Sequence, residues 1–183
     1  MSRLKEQIKT IPKDYFTLQD IKKVSSLEVK SLRVSMNRLV KRGEVERIFR
    51  GFYSSDSASV NWKKMACEIY QPAYVSFESA LSLHNILSQK PMQIILATTN
   101  RSRKINLAGR VVVYRHLKPN LFWGYQRKDG FLLAEPEKAF LDLAYLSSRG
   151  YAKLDLEEMN LDFINQKKLK RYLKKFGKIK IPS

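Results

Sequence analysis

One cysteine and two histidines are the only thiol and imidazole groups in the 183-residue sequence. Cys67 stands alone, so no internal disulfide and no cysteine-rich metal cage can form. His84 and His116 have no second histidine or cysteine at metal-ligand spacing, which argues against a zinc site. A Gly-rich phosphate loop, a nucleophile elbow and a Cys–His pair are missing as well. No apolar run approaches the roughly 20 residues that span a bilayer. The start, Met1-Ser2-Arg3-Leu4-Lys5-Glu6, lacks the apolar core of a secretory leader. The expectation is a cytoplasmic protein without cofactor, metal, membrane or small-molecule substrate.

Acid is the other scarcity. Asp and Glu number 17 against 35 Lys and Arg, a net charge of +18 with a pI near 10.0. Residues 1–60 carry +6 of this and residues 61–183 carry +12. After Phe163 there are eight cations, from Lys167 to Lys180, and no acid. Such an excess draws polyanions and speeds encounter with them, while leaving the fold open. DNA, RNA and an acidic protein partner all satisfy it. With 44% hydrophobic and 11% aromatic residues the chain is globular, sized for one large or two small domains.

The N-terminal pattern is specific. Leu4, Ile8 and Ile11 form one helical stripe that ends at Pro12. Thr17 with Asp20 three residues later is a helix-start pair, and Phe16 precedes it as an apolar staple. Leu18, Ile21 and Val24 then give a short second helix, and Ser25-Ser26 a turn with a fresh cap. A third helix runs from about Leu27 to Arg42, with Gly43 where a left-handed cap is wanted. Its expected core stripe is Val29, Leu32, Met36, Leu39 and Val40. From Glu44 to Phe49 and from Phe52 to Ser54 the period changes to two, across a tight turn at Arg50-Gly51. The order is that of a winged helix-turn-helix, assigned to residues 1–58.

Such modules set the second helix of the pair into the major groove. The base-reading candidates are therefore Lys30, Ser31, Arg33, Val34, Asn37 and Arg38, because arginine can pair with guanine and asparagine with adenine. Lys22, Lys23, Lys41, Arg47 and Arg50 are expected on phosphates, which position a protein without specifying sequence.

Past the polar stretch 54–59, residues 61–183 mix strands and helices without regular alternation, so an α+β domain with a small, antiparallel-containing sheet is expected. Helices are predicted over Trp62–Tyr70, over Phe77–Leu87 capped by Ser76, from Pro136 through Leu146, and from Asn165 to Phe176. Strands are predicted over Ala73–Val75, Met92–Thr98 and Gly109–Leu117, with a hairpin closed by Asp129-Gly130. Arg101, Arg103, Lys104, Lys167, Lys168, Arg171, Lys174 and Lys175 are expected to form a second basic surface. Cys67 reads as a small buried residue. Glu135, Glu137 and Lys138, with Asp142, allow a metal-dependent nuclease. The stronger reading is a helix start, where acids suit the dipole and Lys138 faces solvent.

The succession Arg50-Gly51-Phe52-Tyr53, then Tyr74 to His84 (YVSFESALSLH), then Ala97-Thr98-Thr99, then Leu133 to Asp142 (LAEPEKAFLD) resembles the AbiEi antitoxins of type IV toxin–antitoxin systems. The resemblance extends to about Leu146. It implies a bacterial protein whose winged helix binds inverted repeats in its own promoter and represses transcription. Its C-terminal domain would counter a nucleotidyltransferase-type toxin. A winged-helix regulator without a toxin partner is the alternative, and a module meeting an acidic protein is a third reading.

Overall fold

The computed structural model describes residues 3–177 and Ile179; Lys178 and Lys180 of the basic tail lie outside them. The chain divides into two compact units. One runs up to Trp62 and takes in Asn106–Gly109; the other takes in Lys63–Ile105 and the chain from Arg110 on. Among the described residues no helix is long and apolar enough to cross a membrane.

The first unit is a winged helix. Helix α1 (Arg3–Lys9) buries Leu4 and Ile8. Strand β1 (Phe16–Thr17) is only two residues long and leads straight into α2 (Leu18–Val24). Thr17 closes both halves of a capping box: its hydroxyl accepts from Asp20 N–H, and its own N–H donates to the Asp20 carboxylate at 2.9 Å. Partial burial works against ionisation of Asp20, but Lys13 Nζ at 2.6 Å and the Thr17 hydrogen bonds hold the carboxyl below its ordinary value. Phe16, expected as a staple, instead pairs with Tyr53 across the sheet.

Helix α3 (Val29–Lys41) ends in a Schellman motif: Gly43 N–H reaches the Val40 carbonyl and Glu44 N–H the Leu39 carbonyl, each at 3.0 Å. Gly43 takes φ +69°, where a side chain would be strained. Strands β2 (Glu46–Phe49) and β3 (Phe52–Ser54) form the hairpin, giving the sheet order β1-β3-β2. A bulge between Arg47 and Phe49 breaks the expected alternation, so Ile48 rather than Phe49 is buried. Leu4, Ile8, Phe16, Ile21, Leu32, Met36, Leu39, Val45 and Tyr53 make one core.

Two expectations at α3 need correction. Val29 is 44% exposed and no part of the core stripe. The N-cap is Glu28, without a side-chain cap; Ser25 Oγ accepts from Leu27 N–H and shapes the turn before it.

The second unit is built on a mixed sheet of six strands in the order β6-β7-β5-β4-β9-β8. These are β4 (Ala73–Val75), β5 (Ile94–Thr98), β6 (Arg103–Leu107), β7 (Arg110–His116), β8 (Tyr125–Lys128) and β9 (Phe131–Ala134). The pairs β4–β5 and β8–β9 are antiparallel, while β4–β9 and β5–β7 are parallel. The fold is α+β, and its sheet is larger than expected because the basic stretch after Asn100 enters a strand at Arg103.

Neighbouring strand residues point to opposite faces. On one face Ile95 N–H donates to Ser79 Oγ of α5 (Phe77–Leu83), and Arg115 meets Glu78. On the other, the Tyr114 hydroxyl donates to the Ala66 carbonyl of α4 (Trp62–Ile69). Helix α6 (Pro136–Ser147) packs with α5, and α7 (Gln166–Phe176) packs on α6.

Cys67 of α4 is buried as expected, and burial pushes its thiol up to about 11 from an ordinary 9.0. At neutral pH that leaves about a hundredfold less of the reactive thiolate. Alkylation by iodoacetamide is expected to run at least about a hundredfold slower in the native protein than in urea. Equal rates would show that the thiol is not shielded.

Candidate nucleic-acid interface

Helix α3 presents two opposite faces. Leu32, Met36 and Leu39 are at most 1% exposed. Away from them, Lys30, Val34, Asn37 and Lys41 follow one another at the four- and three-residue spacings that share a helical face. Arg33, Arg38 and Ser31 flank that stripe. All seven are exposed. None of the cations Lys30, Arg33, Arg38 and Lys41 has an ion-pair or hydrogen-bond partner among the described residues. The stripe thus offers unpaired donors around one exposed apolar side chain, Val34 at 51%. A thymine methyl suits such a centre.

The flanking residues divide. Arg47 and Arg50 are exposed on the hairpin, Arg50 at its tip, and Lys23 is exposed on α2. Lys22 is committed to the fold: its Nζ donates to the Leu27 carbonyl at 3.1 Å and lies 3.8 Å from Glu28, pinning the turn between the two helices. Behind the C-terminal end of α3, Glu44 takes Lys5 at 2.9 Å and Arg42 at 2.5 Å. Those two hydrogen bonds, Lys5 first, hold its carboxyl below the usual range and leave the stripe itself clear of acid.

The expected second basic surface does not form as one set. Lys168 faces inward, 3.3 Å from Glu135 and 3.2 Å from Glu137. Lys175 lies over the Trp123 ring at 4.5 Å and Arg171 over Tyr172 at 5.6 Å, while Lys167 and Lys174 are exposed. Arg101, Arg103 and Lys104 stand at the β6 end of the sheet. There Arg103 and Lys104 line one cavity with Arg115, Lys118 and Arg149, which sequence reasoning did not single out.

The acid cluster beside Pro136 is also absorbed by the fold. Glu135 accepts the Tyr172 hydroxyl, and Glu137 accepts the Asn165 N–H at 3.0 Å, so both carboxylates dock α7 onto the start of α6. Lys138, expected at solvent, is fully buried with Asp142 one turn on. Lys138 Nζ donates to Asp142 Oδ1 and, at 2.7 Å, to the Tyr74 hydroxyl. Asp142 Oδ2 accepts from Tyr74 at 2.9 Å and from Ser76 at 2.7 Å. Ser76, expected to cap α5, spends its hydroxyl here instead. The ammonium lies 5.2–5.3 Å from the ring centres of Tyr74, Trp123 and Phe176. Gly124 completes the enclosure, because a Cβ there would stand 3.0 Å from the Lys138 stem. Burial pushes Lys138 down and Asp142 up, against their mutual attraction. With every donor and acceptor of the pair turned inward, this is a structural network.

Residues 13–55 match the family described as "Transcriptional regulator, AbiEi antitoxin". In fold the chain is similar to the crystal structure of the Rv2827c protein from Mycobacterium tuberculosis, with 14% identity and a TM-score of 0.60. That likeness covers 93% of this chain and 69% of the other. No curated protein matches the sequence.

Proposed function

We propose, from the match of residues 13–55 to the AbiEi antitoxin family of transcriptional regulators, that this chain represses its own promoter and acts as a cytoplasmic antitoxin. The exposed, unpaired stripe Lys30, Val34, Asn37 and Lys41, flanked by Arg33 and Arg38, carries the reading. Lys30, Ser31, Arg33 and Val34 enter the major groove first, because the N-terminal part of a recognition helix meets the bases. Arg47 and Arg50 on the wing, with Lys23 and Lys41, hold phosphates. Residues 61–183 form the domain that counters a nucleotidyltransferase-type toxin.

A titration of the chain against the DNA upstream of its own gene tests the first half. Arg33→Ala is expected to weaken operator binding by about 1–3 kcal/mol and to relax discrimination at one base pair. Arg50→Ala should weaken operator and random DNA alike and reduce the salt slope by about 1. Undiminished discrimination in Arg33→Ala would remove that residue from the base contacts. Rescue of growth when the chain is co-expressed with the product of the adjacent reading frame tests the second half.

A regulator acting without a toxin is the second reading. It is favoured by one observation: the family match ends at Ser55, inside the winged-helix unit. Failure of rescue with repression intact would select it.

A further inference from the structure

A cavity of about 760 Å³ opens in the second unit between the β6–β7 end of the sheet and the C-terminal end of α6. Drug-sized ligands occupy cavities of roughly 300–1,000 Å³. Lys104, Lys118, Arg103, Arg115 and Arg149 line it, and no carboxylate does. Arg115 is already engaged, fork to fork with Glu78 at 2.7–3.0 Å, and serves to stiffen the wall. The other four have no acidic partner among the described residues. Four cations around one concavity are repulsive when empty and are relieved by an anion carrying more than one charge.

The walls between the cations are aromatic and apolar. Arg149 lies over the Tyr145 ring, its guanidinium carbon 3.7 Å from the ring centre, and a 3.3 Å hydrogen bond to the Tyr145 carbonyl holds it there. Val113 and Leu146 lie alongside, and Tyr151 stands at the mouth with 76% of its surface exposed. A guanidinium plane and a free phenol ring are both surfaces on which a planar base stacks. Inorganic phosphate would use the cations and ignore these walls.

We propose that this cavity is a binding site for a free nucleotide, its phosphates on Lys104, Lys118 and Arg103 and its base against Tyr151 and the Arg149–Tyr145 pair. The site lies in the second unit and does not depend on what α3 reads.

Calorimetric titration of the full chain at physiological salt, with ATP and GTP as probes, tests this. Pyrophosphate, adenosine and a short single-stranded oligonucleotide are run in parallel. One nucleotide per chain is expected, with adenosine binding at least about tenfold more weakly. The exposed double variant Lys104→Glu/Lys118→Glu should lose at least about tenfold in nucleotide affinity while melting like the parent. Tyr151→Ala should weaken ATP and GTP and leave pyrophosphate unchanged. The proposal is overturned if both variants bind nucleotide as the parent does. It is equally overturned if pyrophosphate binds as tightly as the nucleotides, or if the oligonucleotide displaces them at equal or lower concentration, which would make the cavity a nucleic-acid contact.

Discussion

Replacing Asp142 by alanine is expected to destabilise the second unit by about 3–5 kcal/mol, the range for removing one partner of a buried ion pair. The reason is the lysine left behind. Lys138 is fully enclosed, and without the carboxylate its ammonium keeps only the Tyr74 hydroxyl and three ring faces. Urea unfolding followed by the fluorescence of Trp123, which lies against the network, measures the loss. The pH dependence has a definite sign. Burial already holds Lys138 below its ordinary 10.5, and losing Asp142 lowers it further. The unfolded chain then binds more protons than the native one over the interval below 10.5, so stability rises with pH there. The deficit of the variant should accordingly shrink as pH rises toward 10.5. Replacing both partners, Lys138→Met with Asp142→Leu, should restore only part of the stability: the apolar pair avoids the desolvation cost, but the buried Tyr74 and Ser76 hydroxyls lose the carboxylate to which they donate. A loss below about 1 kcal/mol in Asp142→Ala would mean that the pair is already neutral in the native protein.

Leu32→Ala should cost the winged-helix unit about 2–5 kcal/mol, the range for truncating a large aliphatic core residue. Leu32 is completely buried on the face of α3 opposite the basic stripe, among the residues that hold α3 against the rest of its unit. A unit of this size has roughly 3–9 kcal/mol to lose, at about 0.05–0.15 kcal/mol per residue. A substantial unfolded population is therefore expected, and with it a fall in affinity for every DNA sequence. This pattern separates the variant from Arg33→Ala, which should impair only the specific complex. Anisotropy titrations with operator and random DNA, alongside a urea melt, distinguish the two. Full affinity for both DNAs would show that α3 can be loosened without harm to binding.

Local signals were the legible ones. The Thr17–Asp20 capping box, the Gly43 cap, the Arg50-Gly51 turn and the Asp129-Gly130 hairpin are each decided within four or five residues, and each stands where the pattern predicts. Features decided by distant partners were not legible. Lys138 reads as a solvent-facing residue because the groups that make its burial tolerable, Tyr74 and Ser76, lie more than sixty residues earlier. Ser76 has the sequence of an ordinary cap, and only the arrival of α6 redirects its hydroxyl. The parallel pairing of β5 with β7 and of β4 with β9 leaves no trace in either strand alone. At the candidate interface, helical spacing identified the exposed stripe, and Val29 was misplaced because the stripe rule ignores how a helix end lifts away from the core. The cavity beside β6 was missed because its cations come from three separate stretches of chain.

The order of the two sheets has one more consequence. Outer strands present unsatisfied backbone groups on which another chain can grow a strand. Here the outer strands are β1, only two residues long, and β2, β6 and β8, the last three bearing Glu46 and Arg47, then Arg103 and Lys104, then Arg127 and Lys128, all exposed. The bulge in β2 adds a twist that spoils a flat template. Part of the positive surplus therefore serves colloidal protection, keeping copies of the chain from joining edge to edge. Neutralising those lysines and arginines to test nucleic-acid binding would also expose a latent tendency to aggregate.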